Sequence, residues 1–116
     1  MNKALPSRGD IWLVNLNPVR GHEQAAGTRP ALVVSVDLFN HGPAGLVVVL
    51  PVTSKDKGIP LHVKLLASEG GLKTESYVKC EDIRSVSIER CEKKIGHISP
   101  SILAEVDDRL RILLDL

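Results

Sequence analysis

A change of hydrophobic period near residue 99 restricts the fold of this chain more than any other feature. Ahead of it, apolar residues come in short β-branched runs: Ile11–Leu16 (IWLVNL), Pro30–Val36 (PALVVSV) and Leu46–Val52 (LVVVLPV). Runs of that length and composition predict strands, the second and third buried on both faces. Pro51 cannot donate a ladder hydrogen bond, so the third strand should meet an edge or a bulge near its end. Leu61–Leu66 sets Leu61, Val63 and Leu65 on one face against His62 and Lys64 on the other, and Ser76–Cys80 and Ser85–Ile88 read as two more short strands. After Ser99 the spacing becomes helical. Ile102, Leu103, Val106, Leu110, Leu113 and Leu114 form one stripe, with Ser99 placed to cap and Pro100 suited to the first turn. Several short strands and one terminal helix predict a mostly β (α+β) domain over residues 1–116: a small, strongly bent antiparallel sheet or barrel with the helix packed on it.

The connection between the first two strands is out of scale. Residues 17–28 (NPVRGHEQAAGT) are longer than the ~2–5 residues of ordinary hairpins. A segment of this kind is either a solvated loop or a functional one carried on a rigid scaffold. This one concentrates Arg20, His22, Glu23 and Gln24, with Arg29 just beyond, where Pro30 biases the backbone toward extension.

Composition narrows the function classes. Hydrophobic residues at 43% and charged residues at 25% describe an ordinary globular chain, and no apolar run approaches the ~20 residues of a membrane helix. The start, MNKALPSRGD, has no apolar signal stretch, which makes the cytoplasm the default compartment. Cys80 and Cys91 form no metal-type CxxC pair and read as reduced; His22, His41, His62 and His97 lack metal-motif spacing, and His41 and His97 read as turn residues. No metal or other cofactor is called for. The net charge of +1 is a weak nucleic-acid footprint, although residues 99–116 hold two arginines against four carboxylates and leave the remainder more basic. With only Trp12, Phe39 and Tyr77 as aromatics, any RNA recognition must rest on charge and hydrogen bonds instead of base stacking.

Several blocks recur together in one known family. Arg8-Gly9-Asp10-Ile11-Trp12-Leu13-Val14, Asn17-Pro18, Gly21-His22-Glu23-Gln24 and Gly27-Thr28-Arg29-Pro30-Ala31-Leu32-Val33-Val34-Ser35 resemble the N-terminal signature of the MazF/PemK (Kid) toxins. Pro51-Val52-Thr53-Ser54, Val78-Lys79-Cys80-Glu81 and Ile83-Arg84 resemble its later segments, so the likeness spans nearly the whole chain. The resemblance implies an SH3-like antiparallel β-barrel of the CcdB/Kid kind with a C-terminal helix, and a homodimer in the cytoplasm. It implies the toxin of a type II toxin–antitoxin pair: a metal-independent endoribonuclease that cuts single-stranded RNA, mRNA in particular, at short sequences. The products would be a 2′,3′-cyclic phosphate and a 5′-hydroxyl, and an antitoxin protein would cover much of the RNA surface.

Attack by a ribose 2′-hydroxyl requires a base, stabilisation of the phosphorane charge and an acid for the leaving oxygen. The motif match assigns Arg29 and Thr53 to the phosphate, Arg29 through its planar fork. Glu23, His22 and Glu81 are the candidates for proton transfer. Arg20, Gln24, Ser54, Lys55, Lys57, Lys79 and Arg84 are expected along the RNA. Lys79 and Glu81 stand where Kid-like members carry Arg and Asp; as i and i+2 on one strand they would share a face, where a surface ion pair is the plain alternative. Two rivals come from other classes: a CcdB-like gyrase poison, whose Trp-Gly-Ile terminus is replaced here by Leu114-Asp115-Leu116, and a catalytically silent SH3-like interaction module.

Overall fold

The computed structural model describes residues 4–17 and 27–116. Arg20, His22, Glu23 and Gln24 lie outside the described residues. Strand β1 (Asp10–Asn15) pairs antiparallel with β2 (Thr28–Val33), and β2 with β3 (Leu46–Thr53). Between β2 and β3 a single helical turn, α1 (Asp37–Asn40), reverses the chain and leaves His41 in the turn at its end. Strands β4 (His62–Leu65), β5 (Ser76–Lys79), β6 (Arg84–Ser87) and β7 (Cys91–His97) follow, then helix α2 (Pro100–Leu114). The sheet order is β4-β5-β3-β2-β1-β7, with β6 also on β3. Among the described residues the path ends at β4 and at β7. The sheet is therefore open and strongly bent, and the expected barrel is not closed.

Strand β3 is the hinge of this arrangement. Its middle, Val49–Pro51, pairs with β2, while its two ends pair on β6 (Leu46–Val49) and on β5 (Val52, Thr53). The change of partner falls at Pro51, the residue that cannot extend a ladder. Between β5 and β6 the 3-10 turn Cys80–Asp82 interrupts what is otherwise one path along β3.

Alternation in the central strands divides the core in two. Ile11, Leu32, Leu50, Val63, Leu65, Val78 and Val106 share one cluster; Trp12, Val14, Ala31, Val33, Val47 and Val49 share the other, on the opposite face. Helix α2 closes the first. Ser99 caps it by accepting from the Ile102 amide at 3.4 Å, Val106 is fully buried, and Ile102, Leu103 and Leu110 pack beside it. An ion pair from Arg8 to Asp107 ties the helix to the N-terminal segment, and Arg8 also donates to the Val34 carbonyl. Past Leu110 the stripe leaves the core, and Ile112, Leu114 and Leu116 are exposed. No helix among the described residues is long and apolar enough to cross a membrane.

Strand β7 has no counterpart in the apolar pattern. Its register against β1 skips Glu92 and Ile95, two bulges that bend the edge strand over the sheet. His97 is the last residue of this strand and not a turn residue; its Nδ1 lies 2.9 Å from Asp10 Oδ1. Asp10 also accepts from the Ser7 amide and the Trp12 indole, with the Lys94 ammonium 3.4 Å away. Burial pushes this carboxyl up, but the hydrogen bonds from His97, Ser7 and Trp12 and the Lys94 charge prevail and hold it below the ordinary carboxylate range.

Candidate active site

Arg29 and Thr53 come together because β2 and β3 part company beside them. The last couple paired between these strands is Ala31 with Pro51, and two residues further out on each strand stand Arg29 and Thr53. Each is still paired on its other side, Arg29 with Val14 and Thr53 with Tyr77, and both residues border the same depression. Both line a small pocket of about 90 Å³ with Pro51, Lys55, Lys57 and Lys79, and both also line an adjoining groove of about 560 Å³. Thr53 Oγ1 accepts from the Lys55 amide at 3.2 Å, which folds the chain after β3 back over the pocket and leaves the hydroxyl proton to donate.

The larger groove runs between the ends of β2 and β3 on one side and β7 on the other. Leu13, Pro30, Val52, Leu72 and Ile95 form its apolar part, Ser54, Thr74 and Ser76 add hydroxyl groups, and Lys73, Lys93 and Lys94 add charge. Lys94 is held by Asp10. Its far wall depends on two backbone contacts. The turn Glu69–Gly71 lies so close to β7 that a Cβ on Gly96 would stand 2.3 Å from the Gly70 carbonyl oxygen, and one on Gly71 would stand 2.4 Å from that of Ile95. Only glycine permits that approach.

Seven cationic residues line the two depressions, and among the described residues no aspartate or glutamate does. A net charge of +1 for the whole chain conceals this segregation. Facing positive groups in a concave site focus the field and favour a polyanion. Among the described residues no three His, Cys, Asp or Glu side chains are grouped so as to hold a metal ion.

The comparisons with known proteins agree on one family. Residues 7–114 match the signature described as PemK-like, MazF-like toxin of type II toxin–antitoxin system. Endoribonuclease MazF9 of Mycobacterium tuberculosis is 42% identical over 114 residues, covering 94% of this chain and 96% of that protein. The chain belongs to the PemK/MazF toxin family. The fold concurs. The crystal structure of MazF (Form-I) from Deinococcus radiodurans superposes with a TM-score of 0.86 at 35% identity, covering 98% of this chain and 100% of that one. The MazE–MazF structure (Form-II) from the same organism gives 0.80 at 30% identity, covering 98% and 99%.

Not all residues expected at the site of this toxin are brought to it. Ser54 lines the larger groove, and Lys55, Lys57 and Lys79 the smaller one. Lys79 is 4% exposed and its ammonium lies 3.6 Å from Asp82. It does not share a face with Glu81, because β5 ends at Lys79 and the 3-10 turn carries Glu81 elsewhere. Glu81 instead accepts from or faces His62 Nε2 at 2.8 Å, and it lines neither depression. Arg84 lines neither as well. Its guanidinium donates to the Leu16 carbonyl at 3.2 Å and stands 3.5 Å from Asp82.

Several contributors carry no local signal. Arg90 donates to the Asn15 carbonyl at 3.1 Å and to that of Asn17, so Arg84 and Arg90 together grip the chain where β1 leads into the long loop. Asn17 Oδ1 accepts from the Gly27 amide at 2.9 Å, and Leu16 donates to the Gly27 carbonyl at the same distance. The loop base is thereby closed beside Arg29. Lys73 and Lys93 lie on a turn and an edge strand, and only the folded chain brings them opposite Arg29.

Proposed function

We propose that this toxin is an endoribonuclease that cuts single-stranded RNA, mRNA in particular, by attack of a ribose 2′-hydroxyl on the adjacent phosphorus. The P–O5′ bond breaks, giving a 2′,3′-cyclic phosphate on one fragment and a 5′-hydroxyl on the other. The observation that carries the reading is the shared position of Arg29 and Thr53 in a pocket of phosphate size, lined by cations and, among the described residues, by no carboxylate. The Arg29 fork and the Thr53 hydroxyl can share the two non-bridging oxygens of the phosphodiester, so both stabilise charge that grows in the transition state. Lys55 and Lys57 add positive potential, and the buried Lys79 supports it from below. Proton transfer falls to groups other than Arg29, whose guanidinium serves as a fixed charge. Of the three candidates Glu81 is placed against His62, away from the pocket, which favours Glu23 or His22 of the loop. No step draws on a metal.

The same proposal includes a homodimer, a cytoplasmic site of action and an antitoxin protein as partner. The MazE–MazF assembly of a 30% identical homologue supports a protein partner, and the exposed Leu38, Ile112 and Leu116 supply apolar surface for contacts between chains. A gyrase poison on a related fold would have no use for a phosphate-sized cationic pocket.

Arg29→Ala should slow RNA cleavage by roughly 10²–10³-fold, the scale for losing one preorganised donor, and weaken RNA affinity far less. Arg29→Lys should recover little, and Thr53→Ser much more than Thr53→Ala, because the serine keeps the hydroxyl. Full activity of a correctly folded Arg29→Ala protein, or inhibition of gyrase supercoiling without RNA cleavage, would overturn the reading.

A further inference from the structure

One carboxylate near the candidate site faces neither the pocket nor open solvent. Asp82 lines neither depression, its side chain is 19% exposed, and its Oδ2 is buried without a hydrogen-bond partner among the described residues. Both of its oxygens nevertheless face cations: Oδ2 lies 3.6 Å from the Lys79 ammonium and Oδ1 lies 3.5 Å from the Arg84 guanidinium. Taking a carboxylate this far out of water is costly unless opposite charge meets it there. The two cations lead to different ends of the site. Lys79 is buried and lines the small pocket with Arg29 and Thr53. Arg84 donates to the Leu16 carbonyl, and the Leu16 amide in turn donates to the carbonyl of Gly27, two residues before Arg29.

The turn that carries Asp82 is itself held in place. Cys80 is fully buried, and Glu81 lies 2.8 Å from His62 on β4, the residue paired with Lys79 across the sheet. Asp82 is therefore a stationary charge, and the long Lys79 side chain, rich in rotamers, is drawn to it. Resting on the proposed ribonuclease reading, we infer that Asp82 is a positioning residue for RNA cleavage: it touches no substrate and holds the Lys79 ammonium at the floor of the Arg29–Thr53 pocket. Arg84 anchors Asp82 to the loop base, so the floor cation keeps its place relative to the strand that carries Arg29. Stabilisation of a reacting phosphate depends on cations that stand in position before the charge develops. A carboxylate that only tempered the positive potential of the pocket would act differently, weakening RNA binding without aiding the cut.

The test measures kcat and KM separately on a single-stranded RNA oligonucleotide containing one site that the wild type cuts, with every variant held well below its melting temperature. Asp82→Asn should lower kcat by roughly 10–100-fold, the scale for a catalytic group displaced by up to ~1 Å, and shift KM by less than about 3-fold. Asp82→Glu, which keeps the carboxylate, should recover most of the loss. Lys79→Met should lower kcat to a similar degree. Adding Asp82→Asn to Lys79→Met should slow it by no more than about 2-fold further, because Asp82 acts through Lys79 and the two effects are not additive. The double variant removes the buried ammonium together with its counter-charge, so this comparison decides the matter even if Asp82→Asn alone fails to fold. Asp107→Asn breaks the ion pair of α2 with Arg8, away from both depressions, and should leave kcat in place. If the wild type cuts RNA while Asp82→Asn keeps its kcat, or gains RNA affinity with kcat unchanged, the positioning role is wrong and the ribonuclease reading stands. A double variant much slower than Lys79→Met, or an equal loss of kcat in Asp107→Asn, would also overturn the role. If the wild type cuts no RNA, both readings fall.

Discussion

Replacing Gly96 by alanine probes the wall of the larger groove without touching a charged group. The backbone at Gly96 is not left-handed, so the new methyl group meets only a steric cost. Its Cβ would stand 2.3 Å from the Gly70 carbonyl oxygen, 2.5 Å from the Gly70 carbonyl carbon and 2.9 Å from the Gly71 nitrogen. Carbon–oxygen contacts across packed backbone settle near ~3.3–3.6 Å, so the Glu69–Gly71 turn must retreat by about 1 Å. All three obstructing atoms are backbone, which leaves no side chain to rotate away, and overpacking of this kind costs roughly 1–3 kcal/mol. For a chain of this length that lowers the melting temperature by about 5–15 °C in calorimetry. Because Leu72, Lys73 and Thr74 follow the turn directly and line the groove beside Arg29, affinity for RNA should fall as well. Gly45→Ala is the comparison: its Cβ meets nothing within 4 Å, so it costs only the left-handed strain of about 1–2 kcal/mol and leaves RNA binding intact. A Gly96→Ala protein that melts with the wild type and binds RNA equally would refute the described contact between turn and edge strand.

Two further outcomes follow from separate parts of the molecule. Asp10→Asn should cost about 1.5–3 kcal/mol at neutral pH, the scale of a lost charged hydrogen bond. Since the folded carboxyl is held below its ordinary value, that stability is present above about pH 4 and is lost as pH falls through the folded value. The gap between the melting curves of wild type and variant should therefore close on acidification, and a gap that widens below pH 4 would reverse the argument. RNA cleavage should persist in excess EDTA, because the substrate's own hydroxyl is the nucleophile; loss of activity restored by magnesium or zinc would contradict the proposed step.

The parts of the fold legible in the sequence are those decided locally. Val47, Val49 and Leu50 lie in an apolar run that can only be a buried strand, and Ser99-Pro100 followed by a 3.6-residue stripe announces α2. Strand β7 was not legible, since Glu92-Lys93-Lys94 has the composition of a solvated loop. It is a strand because β1 offers an unpaired edge and because Gly96 lets a distant turn lean on it. That the strongly bent sheet stays open between β4 and β7 among the described residues is visible only in the strand order. At the candidate site, the motifs single out Arg29 and Thr53, and the fold sets both on one depression. Lys73 and Lys93 were not legible, because single lysines on a turn and an edge carry no periodic signal, and their convergence on Arg29 exists only in three dimensions. The pairing of Glu81 with His62 was hidden for a related reason: nothing in Val78-Lys79-Cys80-Glu81 reveals that the strand stops at Lys79.

The most direct test of the central claim is the chemistry of the cut ends. A mixed RNA pool digested by the purified toxin would be analysed for the terminal groups of both fragments, beside a matched substrate with 2′-deoxyribose at the cleaved position. If the Arg29–Thr53 pocket stabilises in-line attack by the 2′-hydroxyl, every upstream fragment ends in a 2′,3′-cyclic phosphate and every downstream fragment begins with a 5′-hydroxyl. The deoxy substrate binds and stays intact. Fragments ending in 3′-hydroxyl and beginning with 5′-phosphate, or cleavage of the deoxy substrate, would mean that water is the nucleophile and that the pocket does different chemistry.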